Sequence, residues 1–178
     1  LNTGREVFSF GAALQVLMIG IGSPLFGALS DKYGSGRASL LGISLVILGL
    51  YWMVNVENSF DLIGSHILFG LGGAGCGTAV VLGAVGRSVK PANRTLALGV
   101  VMAAGSFGQF IMVPLIGYLI ELFGWSQSLV YLCFFAAIMI IFSFALNFSG
   151  KSESSKAGSN QSVKEALKEA FQNKSYNL

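Results

Sequence analysis

The residues of this chain that could do chemistry are few, and they are spaced for binding and charge pairing rather than for bond-making. His66 is the one histidine among 178 residues. No Ser–His–Asp set, facing pair of carboxylates or cluster of metal ligands occurs at a useful spacing, so neither an enzyme centre nor a metal or other cofactor is expected. One stretch concentrates charge: Gly27-Ala-Leu-Ser-Asp31-Lys32-Tyr-Gly34-Ser-Gly-Arg37. Here Gly27 permits close helix contact, Gly34 allows a tight turn, and Asp31 can pair with Arg37. Four further polar side chains, Gln15, His66, Ser106 and Gln109, sit inside long apolar runs. An ionisable group or amide in such a place either touches a solute or hydrogen-bonds across helices, because leaving it unpaired is costly.

The elements that must position these residues are membrane spans. Five apolar stretches run over about 8–29, 38–56, 60–86, 95–120 and 126–148. Each approaches or exceeds the roughly 20 residues that cross a hydrocarbon core about 30 Å thick. The connections between them sort by charge. Lys32 and Arg37 follow the first, Arg87, Lys90 and Arg94 follow the third, five lysines follow the fifth, and the other two connections carry no cation. Basic connections stay on the cytoplasmic side, which places the N-terminus outside and the C-terminus inside a multi-pass protein of the cell (inner) membrane.

Composition agrees. The chain is 53% hydrophobic and 11% charged, which leaves no room for a soluble catalytic domain. Its net charge of +3 hugs the span ends instead of forming a basic face with interleaved aromatics, so no nucleic-acid partner is expected. Cys76 and Cys133 lie within spans and read as small packing residues. Gly70-Leu-Gly72-Gly73-Ala-Gly75 formally matches the dinucleotide pattern G-x-G-x-x-G, but no strand precedes it. Gly70, Gly73 and Gly77, with Gly105, Gly108 and Pro114 in the fourth span, read as helix packing. Spans one, three and four, rich in glycine, suit the interior; spans two and five suit a lipid-facing position. Residues 150–178 turn abruptly polar and read as a cytoplasmic loop with a short amphipathic helix that starts at a Ser162–Glu165 capping box. An odd span count beginning outside, without Met at position 1, suggests a fragment lacking a first helix.

The loop between spans one and two resembles the signature loop of the major facilitator superfamily, G-x-L-x-D-[RK]-x-G. The position after Gly34 is Ser35 rather than a cation, and the cation arrives at Arg37; in this the loop is similar to the oxalate–formate antiporter and monocarboxylate transporter branches. Arg94-Thr-Leu-Ala-Leu-Gly99, Ala104-Gly-Ser-Phe-Gly-Gln109 and Pro114 look like the fifth helix of that branch, and residues 162–176 resemble the end of its central loop. In one place the chain departs from the family: His66 stands four residues before the glycine run, where an Arg is usual.

The resemblance implies an all-α polytopic bundle, helices two to six of a twelve-helix fold, whose halves rock about a midplane site. It implies a secondary transporter of a small organic anion, a mono- or dicarboxylate, by symport or antiport, with the lipid bilayer and the remaining helices of the full-length protein as partners. Gly27, Asp31, Lys32, Gly34 and Arg37 would form the inner gate. Gln15, His66, Ser106 and Gln109 are the candidate cavity lining, with packing or an interhelical hydrogen bond as the other reading of each. No Lys or Arg lies within a span, so the cationic partner of an anion would come from other helices. A transporter of another solute, a channel, a membrane enzyme or a non-transporting scaffold are the rival classes. A channel needs a ring of charges or a re-entrant segment, and an enzyme needs facing catalytic groups; neither pattern is present.

Overall fold

The computed structural model describes residues 5–149, with the side chains of residues 6–144; the amphipathic helix expected after residue 161 lies outside the described residues. Helix α1 (Arg5–Tyr33) runs unbroken past Pro24. It stops at Gly34, whose φ of 93° is a left-handed conformation that suits glycine. That single residue turns the chain directly into α2 (Ser35–Val54). Asn58 then caps α3 (Ser59–Cys76): its side-chain oxygen accepts from the backbone N–H of Phe60 at 2.9 Å and of Asp61 at 3.0 Å, pairing two of the four donors a helix start leaves free.

The third apolar stretch, expected as one helix over 60–86, is two. Gly77 is extended (φ −77°, ψ −179°), and α4 (Thr78–Ser88) begins after it without a side-chain cap. A short 3-10 turn at Pro91–Asn93 leads into α5 (Arg94–Ser149). Gly124, at φ 77° and ψ 171°, breaks α5 into two arms, residues 94–123 and 125–149. The rings of Phe123 and Tyr131 meet across that break at 5.2 Å.

Four helical stretches are long and apolar enough to cross a membrane: Glu6–Tyr33, Ser35–Val54, Ser59–Ser88 and Pro91–Phe144. The last has 54 residues. Unbroken it would measure about 80 Å, far beyond a hydrocarbon core of about 30 Å, so the Gly124 break allows both arms to be accommodated.

Helix α3 sits between α1 and α2, and glycine brings their backbones together. A Cβ on Gly42 of α2 would lie 2.7 Å from the backbone of Gly75, one on Gly72 2.5 Å from Val46 N, and one on Gly70 2.5 Å from Gln15 O of α1. Leu50 and Met53 of α2 form a buried cluster with Leu129, at the start of the second α5 arm. At the arm's other end the Ser143 hydroxyl donates to the Gly36 carbonyl at 2.9 Å, so the arm lies antiparallel to α2. The lipid-facing position expected for span two is therefore corrected: α2 buries Gly36, Ala38, Ser39, Gly42, Ile43, Gly49, Leu50 and Met53. Its own small residues, not its mean apolarity, decide which neighbours it accepts.

Candidate functional site

Two polar clusters mark opposite ends of this bundle. At the end carrying the basic connections, the carboxylate of Asp31, in the last turns of α1, pairs with the guanidinium of Arg87 near the end of α4. Arg87 Nη2 also donates to Ser30 Oγ at 3.0 Å and to Ser35 Oγ at 2.8 Å, and Ser30 Oγ donates to Ser35 Oγ at 3.0 Å. One guanidinium thus clamps both sides of the Gly34 turn, using its planar fork as a lysine could not. Gly83 leaves room for it, since a Cβ there would lie 3.3 Å from Arg87 Nη1. Arg94 Nε donates to the Gly86 carbonyl at 2.8 Å, closing the last turn of α4.

The pairing of Asp31 with Arg37 expected from the sequence is corrected here. Arg37 is exposed in the first turn of α2, past the Gly34 turn, while Arg87 reaches Asp31 from a different helix. Lys32 is exposed, its ammonium 5.1 Å from the centre of the Tyr33 ring. A Cβ on Gly27 would meet nothing within 4 Å, so the close helix contact expected there is not found among the described residues. Sequence reasoning missed Arg87, Ser30 and Ser35 as partners. The available signal was Arg87 itself, a cation at the end of a glycine-dense span, which charge sorting alone absorbs as a topology marker.

The second cluster lies in the seam between α1 and α3. His66 is buried, and its Nδ1 lies 2.9 Å from Gln15 Oε1. With an amide oxygen as partner, Nδ1 carries the ring proton and Nε2 is the free acceptor. That Nε2 is buried with no hydrogen-bond partner among the described residues. The ring is held by Phe8, edge-on at 5.4 Å, and by Gly11, where a Cβ would stand 2.5 Å from the imidazole Cδ2. Phe8 in turn meets Trp125 of α5 at 5.9 Å. The structure thus brings Gln15 and His66 together in a tight apolar slot.

Ser106 and Gln109 are placed elsewhere. Both are exposed on the first arm of α5. Gly105 and Gly108 beside them have nothing within 4 Å where a Cβ would stand, and Pro114 is exposed. The packing expected of these three residues is not found among the described residues, because no described helix covers that face. In the seam it is found: Gly70 abuts Gln15, and a Cβ on Gly73 would touch Ile19 at 3.5 Å. Gly77 marks the break between α3 and α4 rather than a packed contact with another helix. Among the described residues no group of His, Cys, Asp and Glu could hold a metal ion.

The arrangement holds groups that suit binding and a clamp. It offers a buried imidazole acceptor, an amide and hydroxyl on an uncovered apolar face, and an ion pair that ties a helix end to a turn. The family model of the Major Facilitator Superfamily matches residues 1–176. A probable vesicular acetylcholine transporter-B of Danio rerio is 30% identical over 118 residues, 66% of this chain and 23% of that protein. The vesicular acetylcholine transporter of Torpedo marmorata is 27% identical over 138 residues, 76% of this chain and 26% of its own length. Monocarboxylate transporter 11 of Mus musculus is 30% identical over 126 residues, 68% of this chain and 27% of its own. The chain spans about a quarter of the length of these curated relatives. No solved structure matches it. A helical bundle of long apolar elements, a charged turn clamped at one end and a family model matching almost every residue lead to one assignment: the chain belongs to the Major Facilitator Superfamily.

Proposed function

We propose that this chain is part of a secondary active transporter that moves a small organic anion, a mono- or dicarboxylate, by alternating access. In this reading the apolar stretches cross the membrane five times, the two arms of α5 being separate crossings. The end with Asp31 and Arg87 faces the cytoplasm. The observation that carries the reading is the uncovered face of the first α5 arm. An exposed amide at Gln109 and a hydroxyl at Ser106 lie midway along a helix that the family sets in a membrane. Facing lipid, such an amide would cost several kcal/mol, so that face is supported as the wall of a cavity or of the contact with the protein's other half. The match to a monocarboxylate transporter supports a carboxylate.

A second reading, a small organic cation, is favoured by the matches to proteins named as acetylcholine transporters. It also fits the absence of Lys and Arg from the interior of the described apolar helices. Counterflow in proteoliposomes of the full-length protein separates the two. Preloading with unlabelled lactate or succinate should drive accumulation of the labelled acid, and preloading with choline should drive none. Accumulation of labelled choline alone would replace the anion by the cation. No saturable flux of any of these three compounds would remove both. Gln109→Leu should lower the counterflow rate by roughly tenfold, which corresponds to about 1.4 kcal/mol at the barrier.

A further inference from the structure

Charge is divided between the two ends of the bundle. Glu6 stands in the first turn of α1, Glu57 and Asp61 where α2 passes into α3, and Glu121 just before the Gly124 break. At the opposite end the one carboxylate among the described residues is Asp31, and Arg87 already holds it. Around that pair the fold gathers further cations from two separate connections. Arg87 Nη2 reaches Ser35 Oγ across 52 positions of sequence, which sets the end of α4 against the α1–α2 turn. Lys32 and Arg37 flank that turn, Lys90 stands just past α4, and Arg94 reaches back to the carbonyl of Gly86, next to Arg87. Lys32, Arg37, Lys90 and Arg94 are all exposed. None of them has a carboxylate partner among the described residues. Charge sorting requires only that cations stay on one side of a membrane. It does not require that two basic connections meet.

Two of these cations head exposed apolar stripes. Ile21 and Leu25 lie on the face of α1 that ends in Lys32, and Leu41 and Leu48 on the face of α2 that begins with Arg37, since steps of about four, seven and eleven residues return to one side of a helix. All four apolar side chains are exposed. Tyr33 is exposed too, its ring centre 5.1 Å from the Lys32 ammonium; such amphipathic rings sit at the level of lipid headgroups. A cation above an apolar stripe matches a molecule with an anionic head and hydrocarbon tails. A small dicarboxylate would meet the cations and leave the stripes unused. We propose that this end of the bundle binds anionic phospholipid. The headgroup phosphate lies among Lys32, Arg37, Lys90 and Arg94, and the acyl chains lie along the α1 and α2 stripes. Arg37 can give one phosphate two parallel hydrogen bonds, while the lysines act as point charges. From the transport reading this takes only that the basic end lies at a membrane surface; the solute carried does not enter.

Native mass spectrometry of the full-length protein in detergent, titrated with dioleoyl phosphatidylglycerol or dioleoyl phosphatidylcholine, tests this without any transport. Phosphatidylglycerol should bind roughly tenfold more tightly than phosphatidylcholine. The double variant Arg37→Gln, Lys90→Gln should weaken phosphatidylglycerol by roughly twentyfold, about fivefold for each cation, and leave phosphatidylcholine unchanged. Arg5→Gln, which removes a cation at the far end of α1, should leave both affinities unchanged. Where the double variant is not recovered as monodisperse protein, Lys32→Gln alone should weaken phosphatidylglycerol by about fivefold. Glycerol 3-phosphate and succinate, which carry charge without tails, should displace no lipid at concentrations equal to it. Equal affinity for the two lipids overturns the proposal, as does undiminished phosphatidylglycerol binding in the variants at the basic end. So does an equal loss in Arg5→Gln, which would mean that net charge alone is felt. Displacement by either soluble anion would make the cluster a soluble-anion site and overturns it as well. Lipid binding is read whether or not counterflow is seen, so failure here and failure of the transport reading are separate results.

Discussion

Gly72 and Gly105 are both glycines in the middle of long apolar helices, and a methyl group added to each would meet opposite fates. At Gly72 it would strike Val46 N at 2.5 Å and the Gly42 carbonyl at 2.7 Å; at Gly105 it would find nothing within 4 Å. The same contrast holds for the polar side chains nearby. Gln15 lies in the α1–α3 seam with its amide oxygen on His66, while Gln109 on the first α5 arm stands exposed. Helix α3 and the first arm of α5 are both apolar and both carry several glycines. They differ in whether the described part of the chain supplies a partner. Glycine density therefore marks where backbones can approach, and it is silent about which backbone does.

The largest effect that would sharpen this contrast is expected at Gly72. Gly72→Val has no flexible side chain to displace, only backbone, and should destabilise the bundle by about 3 kcal/mol or more; loss of the monodisperse peak in size-exclusion chromatography after mild heating would show it. Gln15→Leu comes next. It leaves His66 Nδ1–H buried without an acceptor and should cost about 2 kcal/mol. Removing both polar groups in Gln15→Leu, His66→Phe should cost less than the single change. A double variant worse than either single one, in thermal unfolding, would mean that the pair does not act as a unit.

Asp31→Asn removes the carboxylate that holds Arg87. It should lower counterflow by roughly tenfold while shifting stability by about 1 kcal/mol or less, since the pair is half-exposed; unchanged flux would sever the clamp from transport. The smallest effect is expected at Gly105. Gly105→Ala should alter stability by less than about 0.5 kcal/mol. A large loss there in the full-length protein would show that the uncovered face meets a close partner outside the described residues.

The long apolar runs and the charged loop were legible from sequence because they are written locally. A helix over residues 8–29 needs only its own residues to declare itself, and Gly34 announces its turn through the small, flexible string around it. Three features were not legible. Asp31 chose Arg87 over Arg37 because a salt bridge depends on where α4 ends in space, 56 positions along the chain. The break at Gly77 escaped because apolar composition continues across it, and glycine marks packing and interruption alike. The burial of α2 escaped because a run such as Leu45–Leu50 reads the same against lipid as against protein. Gln15 and His66 were both visible as polar residues in apolar runs, but 51 positions separate them, and only the glycine contacts that set the α1–α3 register make them neighbours.

The hydrogen bond from Ser143 to Gly36 joins positions 107 residues apart, and it sets an order on how the chain is assembled during synthesis. The hairpin of α1 and α2 can form early, from neighbours in sequence. The flank of α2 that carries Gly36, Leu50 and Met53 then waits until the last arm has come back to lie against it. Contacts closed over so long a loop form late. A nascent chain halted before the Gly124 bend therefore leaves that flank of α2 without its protein neighbour.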